Sequence, residues 1–308
     1  MEVAGKKAVT GRVFEIERYA INDGPGIRTL VFMKGCGLCC LWCSNPESQH
    51  HLPQLVYYRQ KCLSCGSCVS VCELDALSLT PEGIVINRRL CNRCGECSSV
   101  CNAQALVLIG KSMRPEEVLA EVLKDEPFYR KSGGGVTFSG GEPLEQKDFL
   151  LQVAQLCKDH YIHTALETCG SVPWGTFEKV LAVIDLFLYD LKEMDPERHR
   201  EYTGVGNDLI LSNFVRLAAT GKDMIVRIPV VPGYNDRDEN FEMIIDFLQR
   251  NSPGIRVDLL PYHRLGKTKY ERLGVHYTLD SVEPPSSSRM KEIENKFIRA
   301  GFSVSIGG

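Results

Sequence analysis

The sequence predicts an α/β fold: six parallel strands with helices between them, curled into a partial, TIM-like (β/α)6 barrel that carries a small inserted unit. Three observations point there. Apolar runs of four to seven residues alternate with stretches of helical periodicity. The runs are apolar nearly throughout, as strands covered on both faces are. Polar residues of unusual type gather just after the runs end, at the carboxyl edge where such barrels keep their active sites. Six units fall short of the eight of a closed barrel, so the sheet is expected to stay open.

The strands are read at "RTLVFM" (28–33), "VTFS" (136–139), "TALET" (164–168), "LFLYDL" (186–191), "IVRIPVV" (225–231) and "RVDLLPY" (256–262). Between them, Phe241, Ile244, Ile245 and Leu248 recur at helical spacing, as do Met290, Ile293 and Phe297. Pro115 sits at a plausible helix start, and the acids after it suit the positive end of the helix dipole. The Cys36–Cys43 loop follows the first strand and "SGGEP" the second, "ETCG" and "DLK" end the third and fourth, "RIPVVPG" carries the fifth and "LPYH" ends the sixth. The inserted unit lies between the first and second strands. The expected division is therefore a barrel of residues 1–53 and 111–308 with an insert of 54–110.

At 308 residues the chain is long enough for one large or two smaller domains. Net charge is −3 and no long Lys/Arg run occurs, so nucleic acid is not an expected partner. No apolar stretch reaches the roughly 20 residues needed to span a bilayer. The N-terminal stretch lacks the apolar centre of a signal peptide. A cytoplasmic protein is expected. Against that setting the fourteen cysteines stand out, twelve of them between Cys36 and Cys101. Clustered thiols in a reducing compartment read as metal or redox sites rather than disulfides.

Eight of those cysteines form a repeat. "CLSCGSCVSVC" (Cys62, Cys65, Cys68, Cys72) matches "CNRCGECSSVC" (Cys91, Cys94, Cys97, Cys101), followed by "ELDALSL" and "NAQALVL". The spacing resembles the run of bacterial [4Fe–4S] ferredoxins, in which the fourth cysteine ligates the other cluster. The resemblance implies a bacterial-ferredoxin-like insert with two clusters, one on Cys62, Cys65, Cys68 and Cys101, the other on Cys91, Cys94, Cys97 and Cys72. Zinc sites are the alternative, but zinc knuckles use longer gaps and often His. Glu73 and Asn102 stand where those ferredoxins usually have Pro.

The loop "GCGLCCLWCSNPE" (Gly35–Glu47) raises a different question, since it holds four cysteines. Cys36-x3-Cys40-x2-Cys43, with Trp42 before the last, resembles the cluster signature of the radical S-adenosylmethionine (SAM) superfamily. This leaves Cys39 as the spare; the rival register Cys36-x2-Cys39-x3-Cys43 shifts the aromatic. Three thiolates on a four-iron cube leave one iron open, which is what separates a catalyst from a wire. "SGGEP" follows the second strand, as it does in that superfamily. There Gly140, Gly141 and Glu142 are implied to hold the methionine amino group of SAM, the glycines by close backbone approach and Glu142 as acceptor.

"DGPGIRTLVFMKGC" (Asp23–Cys36), "DLKEMD", "RIPVVPGYND" and "LLPYHRLGKTKY" together resemble the activating enzymes of glycyl radical enzymes, over nearly the whole chain. Larger members of that family serve enzymes such as choline trimethylamine-lyase, glycerol dehydratase, isethionate sulfite-lyase, 4-hydroxyphenylacetate decarboxylase and benzylsuccinate synthase. The resemblance implies three [4Fe–4S] clusters, SAM, and a monovalent cation near Asp190. It places Glu167 where the pyruvate formate-lyase activator has Asp. Lys192, Arg227 and His263 would line the SAM pocket, and Asp23 would lie near the partner's glycine loop; Asp23 and Lys192 are the candidate catalytic residues. Partners implied are a glycyl radical enzyme and a flavodoxin or ferredoxin-type reductant. Cys157 reads as core packing and Cys169 as structural. A radical SAM peptide maturase with auxiliary clusters and a multi-cluster electron carrier are the competing functions. The second has no use for an open iron, and the first usually places its extra clusters after the barrel.

Overall fold

The computed structural model describes residues 9–307. The outermost ends of the 1–53 and 111–308 segments, residues 1–8 and 308, lie outside the described residues, as does the start of the stretch read against a signal peptide.

Among the described residues thirteen strands form: β1 (Gly11–Ala20), β2 (Arg28–Met33), β3 (Gln54–Tyr57), β4 (Leu77–Thr80), β5 (Gly83–Ile86), β6 (Leu106–Ile109), β7 (Lys111–Met113), β8 (Gly135–Gly140), β9 (His163–Thr168), β10 (Leu186–Asp190), β11 (Asp223–Val230), β12 (Arg256–Pro261) and β13 (Ser303–Ile306). Nine of them make one sheet in the order β13-β12-β11-β10-β9-β8-β2-β1-β7. The six strands expected from the sequence are β2 and β8 to β12. The structure corrects their number: β13 adds a seventh parallel strand beside β12, and β1 pairs antiparallel with β2 and β7. The reason is physical. β1 is buried only at Gly11, Val13 and Ala20 and exposed or half-buried elsewhere, and β13 is a short, half-exposed edge strand, so neither is a continuous apolar run.

Register divides each strand between two faces. Val31, Met33, Val136, Phe138, Leu166, Phe187, Tyr189, Val226, Ile228, Val257 and Leu259 face outward into the main core. They meet Leu150, Val153, Phe214, Ile244 and Ile293 from the covering helices. The helix Asp238–Asn251 buries Phe241, Ile244 and Leu248, and Ser287–Arg299 buries Met290, Ile293 and Phe297, each set at the expected spacing. Every such side chain contributes about 1.5–3 kcal/mol of burial. Ser286 caps the second helix by accepting from Arg289 N. Pro115 opens Pro115–Val122, where the Glu117 carboxylate accepts from Arg114 N at 2.7 Å.

The other face is concave. Its residues are Thr137, Ser139, Ala165, Glu167, Leu188, Asp190, Arg227 and Asp258, with Leu188 level with Glu167, and Asp190, Arg227 and Asp258 in one row. Arg227 on β11 reaches Glu167 on β9 across the intervening β10, as a curled sheet allows. Low on this face, the fully buried Arg28 donates to Thr137 Oγ1 (2.6 Å), Val136 O (2.6 Å) and Pro25 O (3.1 Å). Burial without a carboxylate partner pulls its pKa down to about 10.

Residues 54–109, between β2 and β7, form two small antiparallel pairs, β3–β6 and β4–β5, around a core of Leu55, Cys68, Leu77, Ile84, Cys97 and Leu106. The repeat is visible in the backbone. Positive φ recurs at Ser64 and Arg93, Gly66 and Gly95, and Asp75 and Gln104. Short helices follow at Ser67–Ser70 and Glu96–Ser99. Among the described residues no helix is long and apolar enough to cross a membrane.

Candidate functional site

The carboxyl edge of the sheet closes over a cavity of about 180 Å³. Cys36, Cys40 and Cys43 line it from the loop after β2, Gly140 and Gly141 from the end of β8 and just past it, Glu167 from β9 and Cys169 just past it, and Asp190 from the end of β10 with Lys192 two residues on. The loop is fixed by backbone bonds: Gly35 N to Ser48 O (2.7 Å), Cys39 N to Thr203 O (2.8 Å) and Leu41 N to Tyr202 O (3.0 Å). Trp42 anchors it in an aromatic group with Tyr202 and Tyr234. Cys39 is exposed and sits against Gly204, away from the cavity. Burial pushes the Cys40 thiol up to about 12 and the Cys43 thiol up to about 11, with Lys192 pulling both back.

The glycines act on the protein itself. A side chain on Gly141 would stand 2.1 Å from Gly35 O, and one on Gly140 would meet Met33 N at 2.4 Å. Gly140 also holds φ at 115°. They let the end of β8 close onto the root of the cysteine loop. Gly141→Ala is therefore expected to destabilise the fold by at least about 1–3 kcal/mol, seen as a lower denaturant midpoint. An unchanged midpoint contradicts this packing.

Glu142, read from the sequence as turned toward an ammonium, has a buried carboxylate that does not line the cavity. It accepts from Leu144 N (3.1 Å), Thr168 Oγ1 (2.8 Å), Cys169 N (2.9 Å) and Cys169 Sγ (3.1 Å). Burial pushes its pKa up against those donors. Glu142 ties the turn after β8 to the end of β9. Cys169, expected to be only structural, lines the cavity as well as bonding to Glu142, and its thiol is shifted up by contact with Cys36 and then by burial.

Acids and bases on the inner face are matched. Lys192 Nζ lies 2.8 Å from Asp190 Oδ2, and Arg227 Nη1 lies 3.0 Å from Glu167 Oε1 and 3.5 Å from Asp23 Oδ1. Ser139 Oγ donates to Glu167 Oε2. Burial opposes the charge on Lys192 and Arg227, but the carboxylates around them outweigh it, so both pKa values shift up. Glu167 is shifted up by burial, with Arg227 pulling it back. Asp190, where the resemblance implies a monovalent cation, holds Lys192 on Oδ2, and Glu167 holds Arg227 on Oε1. Arg227 Nε is buried with no partner. Asp258 was not singled out from the sequence, yet it is buried level with Arg227 and pairs with Arg256 at 2.8 Å. Only its inward parity on β12 could have found it.

A second cavity of about 280 Å³ shares Trp42, Ser139, Glu167, Pro229 and Leu260 with the first and opens past Asp23, Arg227 and His263. Asp23 is held there by Thr137 Oγ1, which donates to its carbonyl at 2.8 Å. His263 is exposed at the rim, its Nδ1 accepting from Leu265 N at 3.3 Å.

In the 54–109 unit, Cys62, Cys65, Cys68 and Cys101 line one cavity of about 220 Å³, and Cys72, Cys91, Cys94 and Cys97 line another of about 20 Å³. Each thus takes three thiols from one run and the fourth from the other. The narrower one would have to widen to seat a group that fits the wider. Backbone N–H groups point at the fourth sulfurs in both copies: Ala105 N to Cys101 Sγ at 3.2 Å and Ala76 N to Cys72 Sγ at 3.3 Å. Among the described residues no three His, Cys, Asp or Glu side chains converge as the ligands of one metal ion would. The thiols stand around these two cavities.

Residues 89–248 match the model of the radical SAM superfamily. The chain is 42% identical over 299 residues to the trans-4-hydroxy-L-proline dehydratase activating enzyme of Clostridioides difficile, covering 96% of this chain and 99% of that one. It is 39% identical over 302 residues to the choline trimethylamine-lyase activating enzyme of Oleidesulfovibrio alaskensis, covering 96% and 97%. Among solved structures, a radical SAM methyltransferase from Sphaerobacter thermophilus shares the fold at a TM-score of 0.51 and 14% identity, over 64% of this chain and 58% of that one.

Proposed function

This chain belongs to the radical SAM superfamily and, within it, to the activating enzymes of glycyl radical enzymes, and on that premise we propose how its residues divide the work. It is an enzyme of radical chemistry. Its [4Fe–4S] cluster, when bound, supplies the electron that splits SAM into methionine and a 5′-deoxyadenosyl radical, which takes a hydrogen atom from a glycine Cα of the partner.

Cys36, Cys40 and Cys43 would hold that cluster, three thiols for a group of four irons. The observation that carries this reading is their meeting on one cavity with Gly140, Gly141 and Lys192, while Cys39 stands outside. Lys192 takes the SAM carboxylate, and Asp190 keeps Lys192 charged. Arg227 positions Glu167 and Asp23. Asp23 and His263 receive the glycine loop through the second cavity. Phe32, Trp42, Leu260 and Tyr262 wall that cavity and keep water from a radical that attacks nearly any C–H bond. Holding the glycine within reach is the remaining contribution of the protein.

The insert is a ferredoxin-like unit of two further [4Fe–4S] clusters, on Cys62, Cys65, Cys68 and Cys101 and on Cys91, Cys94, Cys97 and Cys72. It relays electrons from a flavodoxin or ferredoxin-type reductant in the cytoplasm. The crossed lining of its two cavities supports the pairing.

Relatives at 42% and 39% identity carry the names of different partners, so overall similarity does not select one. The test is anaerobic reconstitution with SAM and dithionite against a panel of glycyl radical enzymes. Expected are 5′-deoxyadenosine, methionine and a glycyl signal by electron paramagnetic resonance on one of them. Failure to release 5′-deoxyadenosine under any condition overturns the reading.

A further inference from the structure

The last ladder bond of β10 runs one residue past the strand, from Leu191 N to Arg227 O (2.9 Å). Lys192 is the next residue, so the sheet no longer fixes its peptide. Asn235 does. This side chain is fully buried. Its Nδ2 donates to Lys192 O (2.7 Å) and Pro229 O (2.6 Å), and its Oδ1 accepts from Val231 N (2.8 Å). Lys192 and Pro229 both line the cysteine cavity. Asn235 is itself held, since Asn240 Nδ2 donates to Asn235 O (2.9 Å) and Asn240 Oδ1 accepts from Met194 N (2.9 Å).

A short carboxamide suits this place for a chemical reason. It offers two donors and an acceptor in one plane, whereas Asp offers no donor when ionised and Ser only one. With all three bonds made, the side chain has one orientation. The peptide of Lys192 then has one height relative to β11, and Nζ has one reach toward Asp190 and the cavity.

We propose that Asn235 is a positioning residue for SAM, acting through Lys192. The inference rests on the reading that Lys192 faces SAM. Asn213 is a matched comparison: it is equally buried, and its Nδ2 bonds go to Gly170 O (2.8 Å) and Val172 O (2.7 Å), neither of which lines the cavity.

The experiment is calorimetric titration of SAM into reconstituted enzyme, with thermal melting of each variant and separate KM and kcat for 5′-deoxyadenosine formation. Asn235→Asp and Asn235→Ser are expected to raise Kd and KM for SAM about tenfold, because the Lys192 peptide is no longer held in place. Asn213→Ser is expected to lower the melting temperature with Kd unchanged. Lys192→Met tests the underlying reading, because an unchanged Kd there removes Lys192 from the SAM site. Given that it does raise Kd, Lys192→Met with Asn235→Ser is expected to bind SAM no more weakly than Lys192→Met alone. Additive losses, an unchanged Kd in the Asn235 variants, or insolubility of both would overturn the proposal and leave Asn235 a folding residue.

Discussion

Cys40→Ala is expected to lose 5′-deoxyadenosine formation entirely, while Cys39→Ala keeps it within about twofold, the range of an exposed substitution away from any site. The two residues are neighbours in sequence, so the contrast isolates direction rather than location. Cys40 points into the cavity with Cys36 and Cys43; Cys39 is exposed beside Gly204. A cube offered two thiols of the loop in place of three loses one of its ligands, and Lys192 and Asp190 on the facing wall are paired with each other. Anaerobic assay with dithionite reads the result. Activity in Cys40→Ala with none in Cys39→Ala would mean that the register is Cys36-x2-Cys39-x3-Cys43.

Replacing Cys94 and Cys97 together with serine is expected to lower turnover more than about tenfold with a flavodoxin or ferredoxin donor, but to leave it unchanged with dithionite. A small chemical reductant can reach the barrel directly; a protein donor has to dock and pass its electron on. Cys97 also packs in the core of the 54–109 unit with Leu55, Leu77 and Leu106, so some stability will be lost. Thermal melting separates that from electron transfer. Equal turnover with both donors excludes a relay, and equal losses with both assign the unit to structure.

Much of this was legible in the sequence because the chemistry is local. Four cysteines at fixed spacing announce themselves without a fold, and so does their duplication 29 residues on, which reappears in the backbone as Ser64 and Arg93. The apolar runs found the buried parallel strands to within a residue or two. The runs did not find β1 or β13, whose exposed residues interrupt the signal. Contacts between distant residues were also out of reach. Nothing near Glu142 in sequence says that Thr168 and Cys169 will claim its oxygens, and nothing near Asp258 says that it will lie level with Arg227. Asn235 was quoted as part of a motif, yet its three bonds appear only when β11 and the loop after β10 are set side by side.

Whether three thiols leave one iron for SAM is tested most directly by electron–nuclear double resonance on the reduced, reconstituted protein with SAM labelled by 15N at the amino group and 17O at the carboxylate. Hyperfine coupling from both labels to a [4Fe–4S]+ signal is the expected result, retained in Cys39→Ala and lost in Cys40→Ala. Absence of coupling from either label in the wild-type protein, with SAM bound, would contradict an open iron held by Cys36, Cys40 and Cys43.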